Sequence, residues 1–272
     1  MRVELVNSAP KAAEACKVLL RESVVGFDSE GASLSRFGKL GIVQFRSPQQ
    51  IFVCDALVPE TVNALRGVLE CERIVKVVHD CREDASALFH QHKIELRNVY
   101  DTQIAHQVST GQDHVSSLQQ VRKEIRGERI ANMATSPADS QSWIRRPLGR
   151  LEIEYAVDDV VDSLFLYSHF QRLIVCPAKQ TEMETQLRRY LDYRMLNRHI
   201  NMKGIRPGMR LQAMLAATAG NGWYFKLNCG VPGIVSGLER LARIHKLRIG
   251  ETVDCTVLGW TLTKDAVLLD PL

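Results

Sequence analysis

The chain has 272 residues, enough for one large domain with a smaller one or for two of medium size. Its 45% hydrophobic and 24% charged residues exclude a disordered, collagen-like or coiled-coil chain, and its apolar runs are too short to span a bilayer. The net charge of +4 arises entirely after residue 199: that part has nine basic and five acidic residues, whereas the first 199 residues have 26 of each. This asymmetry favours a polyanion-binding module near the C-terminus.

The hydrophobic pattern predicts a mixed α/β arrangement in the first part of the chain. Helices are predicted over 11–21, 61–69 and 82–92, and strands over 24–28, 40–45, 51–55 and 74–78. A turn at 47–50 predicts a hairpin between the second and third strands. Residues 100–173 are predicted to be mostly helical, with a polar break near 133–142, and a charged helix is predicted over 180–198.

The texture changes at Gly204, where short alternating runs are interrupted by glycines. This punctuation is typical of a small β-barrel, and we place the boundary near residue 200.

Seven cysteines are widely spaced and form no C-x-x-C pair. The odd number argues against a disulfide framework and a cysteine-rich zinc site. Together with an N-terminus that lacks a signal-peptide pattern, this predicts a reducing intracellular compartment, with cytoplasm, nucleus and mitochondrion all open.

Two acids end the first predicted strand, in Phe27-Asp28-Ser29-Glu30. Residues i and i+2 of a strand point to the same face, so Asp28 and Glu30 are placed side by side. Like charges in that position require a proton or a cation between them, and hard divalent cations take carboxylate oxygens. The competing interpretation is a strand that runs into a solvated loop.

Further acids occur at two later positions. Asp84 lies on the first turn of the helix after strand 74–78, where helix N-terminal preference is the alternative explanation. Tyr155 and Asp159 are one helical turn apart and share a face that borders an apolar stripe. A phenol beside a metal-binding carboxylate can hold a water nucleophile, although Tyr155 also fits an interface aromatic with an exposed hydroxyl.

Neighbouring polar residues are given structural interpretations. Asp80 and Glu83 are expected to cap the helix predicted over 82–92. His79 and Asp101 are expected to have structural rather than catalytic roles. Asp158 and Asp162 are expected on a solvated helix surface.

With these motifs in order, the chain resembles the DEDD 3′–5′ exonucleases of the ribonuclease D type, in their tyrosine-containing (DEDDy) branch. The resemblance covers about residues 3–172. It extends to the segments 40–44 and 100–103 and to the stretch Ser142-Trp143-Ile144-Arg145-Arg146-Pro147-Leu148. Two departures are Ser29, where the family often has threonine, and Asp80-Cys81 in place of small residues.

The resemblance implies a ribonuclease H-like fold with a mixed five-stranded sheet and flanking helices. It also implies that two Mg²⁺ or Mn²⁺ ions are held by Asp28, Glu30, Asp84 and Asp159, with Tyr155 orienting the attacking water. The expected substrate is single-stranded RNA with a free 3′ end. The expected products are 5′-nucleoside monophosphates released from that end. Arg145 and Arg146 fit either a phosphate contact or a surface clamp.

Residues 204–270 resemble the OB-fold RNA-binding module of the ribosomal protein S-one type, on the segments 208–214, 222–227, 233–237 and 247–260. By position Tyr224 matches the family's stacking aromatic, with Lys226 on the same face; the alternative places the aromatics in a small core. The expected organisation is an exonuclease domain over 1–175, a helical linker over 176–202 and an OB-like RNA-binding domain over 203–272.

Three functions fit the sequence: an exoribonuclease, a catalytically silent RNA-binding adaptor of the Egalitarian-like type, and a DNA 3′–5′ exonuclease. Because clustered carboxylates without a metal are electrostatically costly, the complete acid set favours an enzyme. The OB-like segment favours RNA.

Overall fold

A mixed sheet organises the first part of the chain. The structure is a computed structural model that describes residues 1–112, 114–127, 137, 139–219 and 222–272. Within these ranges six strands pair in the order β1-β4-β3-β2-β5-β6. Strand β3 is antiparallel to both β2 and β4, and the remaining three pairs are parallel. The strands are β1 (Arg2–Val6), β2 (Val24–Ala32), β3 (Lys39–Arg46), β4 (Gln50–Asp55), β5 (Val75–Val78) and β6 (Val99–Asp101).

The sheet has one strand more than the five expected, and its two edge strands were not predicted from the sequence. In β1, Val3 and Leu5 alternate with charged residues but are exposed, and only Val6 is buried. Strand β6 has three residues, too few for a period to be seen. The mixed α/β fold class itself is confirmed.

Helices cover the sheet, and the predicted 61–69 helix is two short ones. The helices of this part are α1 (Ala9–Leu19), α2 (Pro59–Ala64), α3 (Arg66–Leu69), α4 (Arg82–His92), α5 (Thr102–Thr110), α6 (Leu118–Arg126), α7 (Arg150–Val161), α8 (Ser163–Leu173) and α9 (Pro177–Asp192), with short 3₁₀ turns at Ser140–Ile144, Tyr193–Met195 and Met202–Gly204. Much of the predicted break near 133–142 lies outside the described residues. None of the helices in the described ranges is long and apolar enough to cross a bilayer.

The last helix of this part is packed onto it. Met183 and Tyr190 of α9 are buried in the same core as the strand residues Phe27 and Phe45. The predicted linker helix therefore belongs to the core of the first part, and it ends at Asp192 rather than 198.

The C-terminal part is a closed five-stranded barrel among the described residues, with strand order β10-β11-β9-β8-β7. Neighbours are antiparallel except β9 and β11, which are parallel. A separate core that includes Phe225 and Cys255 fills it. Its elements are β7 (Arg210–Ala219), β8 (Gly222–Lys226), β9 (Pro232–Val235), α10 (Leu238–Arg243), β10 (Thr252–Trp260) and β11 (Val267–Pro271).

Asn228 fastens the barrel to helix α4. Its Oδ1 accepts a hydrogen bond of 2.9 Å from the hydroxyl of Ser86. Its Nδ2 donates to the carbonyls of Tyr193, Arg194 and Leu196, each at 3.0 Å. Because Asn228 is almost fully buried and its hydrogen bonds are satisfied, the contact fixes the barrel against the helix that carries Asp84.

Candidate active site

Three acids from distant parts of the chain converge at one face of the sheet. Asp28 and Glu30 project from β2, and Asp159 projects from α7, which packs against β2, β3 and β4. A carboxylate oxygen from each lies within 4.8 Å of the others. The fold thus brings together three of the four predicted metal ligands.

Asp84 stands next to this group but outside it. It is 5% exposed, on the first turn of α4. Its Oδ1 accepts a hydrogen bond of 2.6 Å from the hydroxyl of Ser29, the residue between the two strand acids. Asp84 is near enough that its charge raises the pKa of both Asp28 and Glu30.

Tyr155 contacts the acid group through Asp159. The phenol donates a hydrogen bond to the carboxylate of Asp159, one turn later on α7. Its ring packs against the buried Trp143 at a centroid distance of 5.9 Å. The predicted pairing of Tyr155 and Asp159 on one helical face is what the structure shows.

Trp143 is positioned by a close approach between its backbone and that of Gly41 on β3. A Cβ at Gly41 would lie 2.4 Å from the carbonyl oxygen of Trp143. Only glycine allows the 3₁₀ turn to approach β3 this closely, which explains the glycine of the 40–44 segment.

The acids are held in a state that favours protonation. Burial, followed by mutual repulsion, raises the pKa of Glu30 to about 8 and that of Asp28 well above its usual range. Burial is also the main cause that raises the pKa of Asp84 and of Asp159 to about 7. Such a cluster is relieved by protons or by a cation.

Gln44 is a site residue that the sequence did not reveal as functional. It faces Asp28 across the β2–β3 pair, and its Nε2 donates to Asp28 Oδ2 at 2.8 Å. Gln44 is fully buried, and its Oε1 has no hydrogen-bond partner in the described part of the chain. The signal that could have found it is a lone polar side chain in the apolar run 40–45, every residue of which is buried.

A cavity of about 210 Å³ opens beside Asp28, Glu30, Tyr155 and Asp159. His79 also lines it, with Nδ1 2.9 Å from Thr102 Oγ1 and Nε2 3.0 Å from the carbonyl of Ser116. Burial lowers the pKa of His79, so its ring is neutral. The structural interpretation of this histidine is confirmed.

Asp101 also has the expected structural role. Its side chain caps α5 through the amide of Gln103 and accepts the amides of Asp80 and Cys81 at 3.1 and 2.8 Å.

Two expectations about neighbouring acids on α7 and after it were wrong. Asp158 and Asp162 are not on a solvated surface, because Arg122 of α6 binds both. Arg122 contacts both oxygens of Asp158, at 2.8 and 3.1 Å, and its Nε lies 2.8 Å from Asp162 Oδ2. The spacing of the acids along α7 could not reveal that Arg122 of α6 packs against them, because that contact joins two different helices.

The acids at the start of α4 do not cap that helix either. Asp80 has φ of +62° and pairs with Arg82 of the first turn. Glu83 Oε1 accepts a hydrogen bond of 2.8 Å from the hydroxyl of Tyr193. The N-cap residue is Cys81, and no side-chain cap is made there.

The predicted RNA contacts divide. Tyr224 is 46% exposed on β8, as a stacking residue requires. Lys226 faces the first part of the chain: its Nζ lies 3.4 Å from Asp80 Oδ2 and 3.4 Å from Glu83 Oε1. Two acids thus hold the ammonium group of Lys226, and its role as an RNA contact stays a prediction.

The two arginines before Pro147 also differ. Arg146 binds both oxygens of Asp55 and the carbonyl of Gly41, which is the clamp alternative. Arg145 is 68% exposed and pairs with Asp139, so it remains a candidate phosphate contact.

Comparisons with known proteins agree with this geometry. Residues 3–174, well over half of the chain, match the sequence model of a family described as 3′–5′ exonuclease. An Egalitarian protein homolog of Caenorhabditis elegans is 34% identical over 110 residues, which are 38% of this chain and 19% of that protein. Ribonuclease D of Nitrobacter hamburgensis is 29% identical over 160 residues, 58% of this chain and 41% of that enzyme. The chain thus spans less than half the length of either relative.

A solved structure shares the fold. The crystal structure of Trypanosoma brucei RNase D in complex with RNA U12 superposes with a TM-score of 0.60 at 23% identity, covering 70% of each chain. With the family match over the residues that form the acid site, the chain belongs to the 3′–5′ exonuclease family, with a DEDD-type exonuclease domain.

Proposed function

We propose that this protein is a metal-dependent 3′–5′ exoribonuclease that releases 5′-nucleoside monophosphates from the free 3′ end of single-stranded RNA. The observation that carries the proposal is the convergence of Asp28, Glu30 and Asp159, with the phenol of Tyr155 bound to the last of them.

The donor set fits divalent cations. Asp28, Glu30, Asp84 and Asp159 offer only carboxylate oxygens, which hard ions such as Mg²⁺ and Mn²⁺ prefer. Burial and mutual repulsion raise the pKa of Asp28 and Glu30, and bound cations would offset both costs of ionising these acids. When bound, a pair of cations activates a water and stabilises the departing 3′-oxygen.

The residues of the chain set the geometry around the ions. Gln44 fixes the orientation of the Asp28 carboxylate, and Ser29 fixes that of Asp84. Tyr155, held by Asp159 and by Trp143, is placed to orient the attacking water at the edge of the cavity.

RNA is the substrate we propose, on two grounds. The ribonuclease D relative and the structure solved with RNA U12 are named for RNA. The basic C-terminal part is a closed barrel with a helix between its third and fourth strands, which supports an OB-like RNA-binding domain with Tyr224 as a stacking residue.

The proposed organisation is an exonuclease domain over 1–175, a helical segment over 176–202 and the barrel over 203–272. All seven cysteines, each within the described ranges, are free thiols, in keeping with a proposed reducing intracellular compartment.

A catalytically silent RNA-binding adaptor is the second candidate, because an Egalitarian homolog is among the relatives. It accounts less well for four acids retained beside a tyrosine. A DNA 3′–5′ exonuclease has the same acid chemistry and is separated by substrate alone.

One assay tests the proposal and its alternatives. Purified protein is incubated with 5′-labelled single-stranded RNA, open or blocked at its 3′ end, in Mg²⁺, Mn²⁺ or chelator, with matched DNA and the Asp28→Ala variant in parallel. We expect a metal-dependent ladder from open RNA that Asp28→Ala does not produce. No ladder in any metal favours the adaptor, and a ladder only from DNA favours the third function.

A further inference from the structure

A cleft of about 730 Å³ separates the nuclease part from the barrel. Helices α5 and α9 form one wall. The other wall is formed by the end of β7, by β8 and by residues 245–249, which follow α10. None of the site residues predicted from the sequence lines this cleft.

Two unpaired cations stand on the barrel wall. Lys246 and Arg248 are exposed, and neither forms an ion pair with another residue that the structure describes. Elsewhere on the barrel, Arg240 and Arg243 both form ion pairs with Asp270. The free positive charge at the cleft is therefore available to an anion.

An aromatic ring lies beside these cations. Trp223 is half-buried and lines the cleft, whereas Tyr224, the next residue on β8, is on the opposite face of the strand. Aromatic faces next to cations are the usual means by which proteins hold single-stranded nucleic acid.

The nuclease wall contributes unsatisfied polar groups. Gln107, Gln112 and Gln186 line it, and the carboxamide oxygen of each is buried without a hydrogen-bond partner among the described residues. Gln107 and Gln186 are 9% and 8% exposed. The amide of Gln186 is oriented by its donation to Glu182, which fixes its oxygen as the free acceptor. Nucleobases carry the N–H donors that such acceptors lack.

Helix α5 connects the cleft with the active site. Thr102 at its first position lines the cavity beside the acids, and Gln107 lies farther along the same helix at the cleft. At 1.5 Å per residue, the nine residues of this helix span about 13 Å. A strand of a few nucleotides is long enough to occupy both sites.

We propose that this cleft binds the single-stranded RNA segment upstream of the scissile 3′ end, with Trp223 stacking on a base and with Lys246 and Arg248 contacting phosphates. The inference rests on the proposed function in taking RNA as the ligand. It adds the junction of the two parts as an RNA-binding surface to the outer barrel face that carries Tyr224.

The test compares two double variants with the same change in charge. Lys246→Gln with Arg248→Gln removes the cleft cations, and Lys203→Gln with Arg206→Gln removes two exposed cations of the same part that do not line the cleft. Affinity for a 5′-fluorescein-labelled 20-nucleotide RNA is measured by anisotropy in EDTA, so that no cleavage occurs. We expect the cleft variant to raise Kd about tenfold and to reduce the salt slope by about 1.4, the value for two lost phosphate contacts. The control variant should change Kd less than threefold, on the order expected of general screening. Equal losses in the two variants, or no loss in either, would overturn the proposal.

Two further measurements guard against misfolding and against failure of the nuclease assignment. A 20-mer that carries 5-iodouridine should cross-link to residue 223 in the wild type. Trp223→Leu keeps an apolar side chain and is the control that should lose this cross-link. A cross-link confined to Tyr224 would place the RNA on the outer face alone and contradict the proposal. In Mn²⁺, the KM of the cleft variant should rise more for a 20-mer than for a trinucleotide, because only the longer RNA reaches the cleft. The anisotropy measurement in EDTA needs no turnover. If the wild type proved inactive, the nuclease assignment would be refuted, and the binding data would still show whether the cleft binds RNA.

Discussion

The hydroxyl of Ser29 donates a hydrogen bond of 2.6 Å to the carboxylate of Asp84, across 55 residues of chain. This bond links the strand that carries Asp28 and Glu30 to the helix that carries the fourth acid. It also opposes the rise in the Asp84 pKa that burial causes, because it favours the ionised carboxylate.

Removal of this hydroxyl should impair metal-dependent activity. A hydrogen bond to a charged group contributes about 1.5–3 kcal/mol, so Ser29→Ala should raise the Mn²⁺ concentration needed for half-maximal trimming by about tenfold. Ser29→Thr keeps the hydroxyl and is the matched control, expected to stay near the wild type. A metal requirement that is the same in Ser29→Ala as in the wild type would show that the bond is irrelevant to the site.

The acid cluster should make the metal-free protein less stable as the pH rises. Unfolded carboxyl groups titrate near 4, whereas in the fold the pKa of Asp84 and Asp159 is about 7 and that of Glu30 about 8. The folded state therefore binds more protons between these values, and the free energy of unfolding falls as the pH rises from about 4 to about 8.

Thermal denaturation in EDTA across this range measures the effect. Asp159→Asn should flatten the decline, because it removes one repelling charge, and added Mn²⁺ should raise the Tm of the wild type more at pH 8 than at pH 6. A wild-type Tm that rises steadily toward pH 8 in EDTA would contradict the raised pKa values.

Loss of the phenol should affect turnover more than binding. Tyr155→Phe keeps the ring against Trp143 and removes the hydroxyl that binds Asp159. Positioned proton-transfer and water-orienting groups contribute about 100-fold or more, so kcat should fall by about that factor with little change in KM. Steady-state kinetics on a trinucleotide are the measurement. An unchanged kcat would remove Tyr155 from the chemistry.

Substitution of Arg122 should destabilise the protein more than most substitutions outside the hydrophobic core. Arg122 is 4% exposed, and its guanidinium binds both Asp158 and Asp162. These two acids precede and follow the site residue Asp159 in the sequence. Arg122→Met would leave Asp158 without a cation and Asp162 with Arg126 alone, and it should lower the free energy of unfolding by about 3 kcal/mol, measured in urea. Arg150→Met, which breaks the exposed pair with Glu154, is the control and should leave stability unchanged. Equal stability of both variants would show that the network contributes nothing.

The sequence was sufficient for the acids but not for what surrounds them. Strand and helix periods, which are local, pair Asp28 with Glu30 and Tyr155 with Asp159, and the family resemblance implies that the two pairs form one site. Arg122 and the inward turn of Lys226 depend on which elements meet in space, and no local period reports that. For the same reason β1, an edge strand with little burial, and β6, with three residues, were missed.

The most direct measurement of the central claim is anomalous diffraction from a crystal of the protein soaked in Mn²⁺. The account predicts an anomalous peak between the carboxylates of Asp28, Glu30 and Asp159, and its loss in Asp28→Ala. A well-ordered site that holds no manganese at any concentration that supports RNA trimming would contradict it.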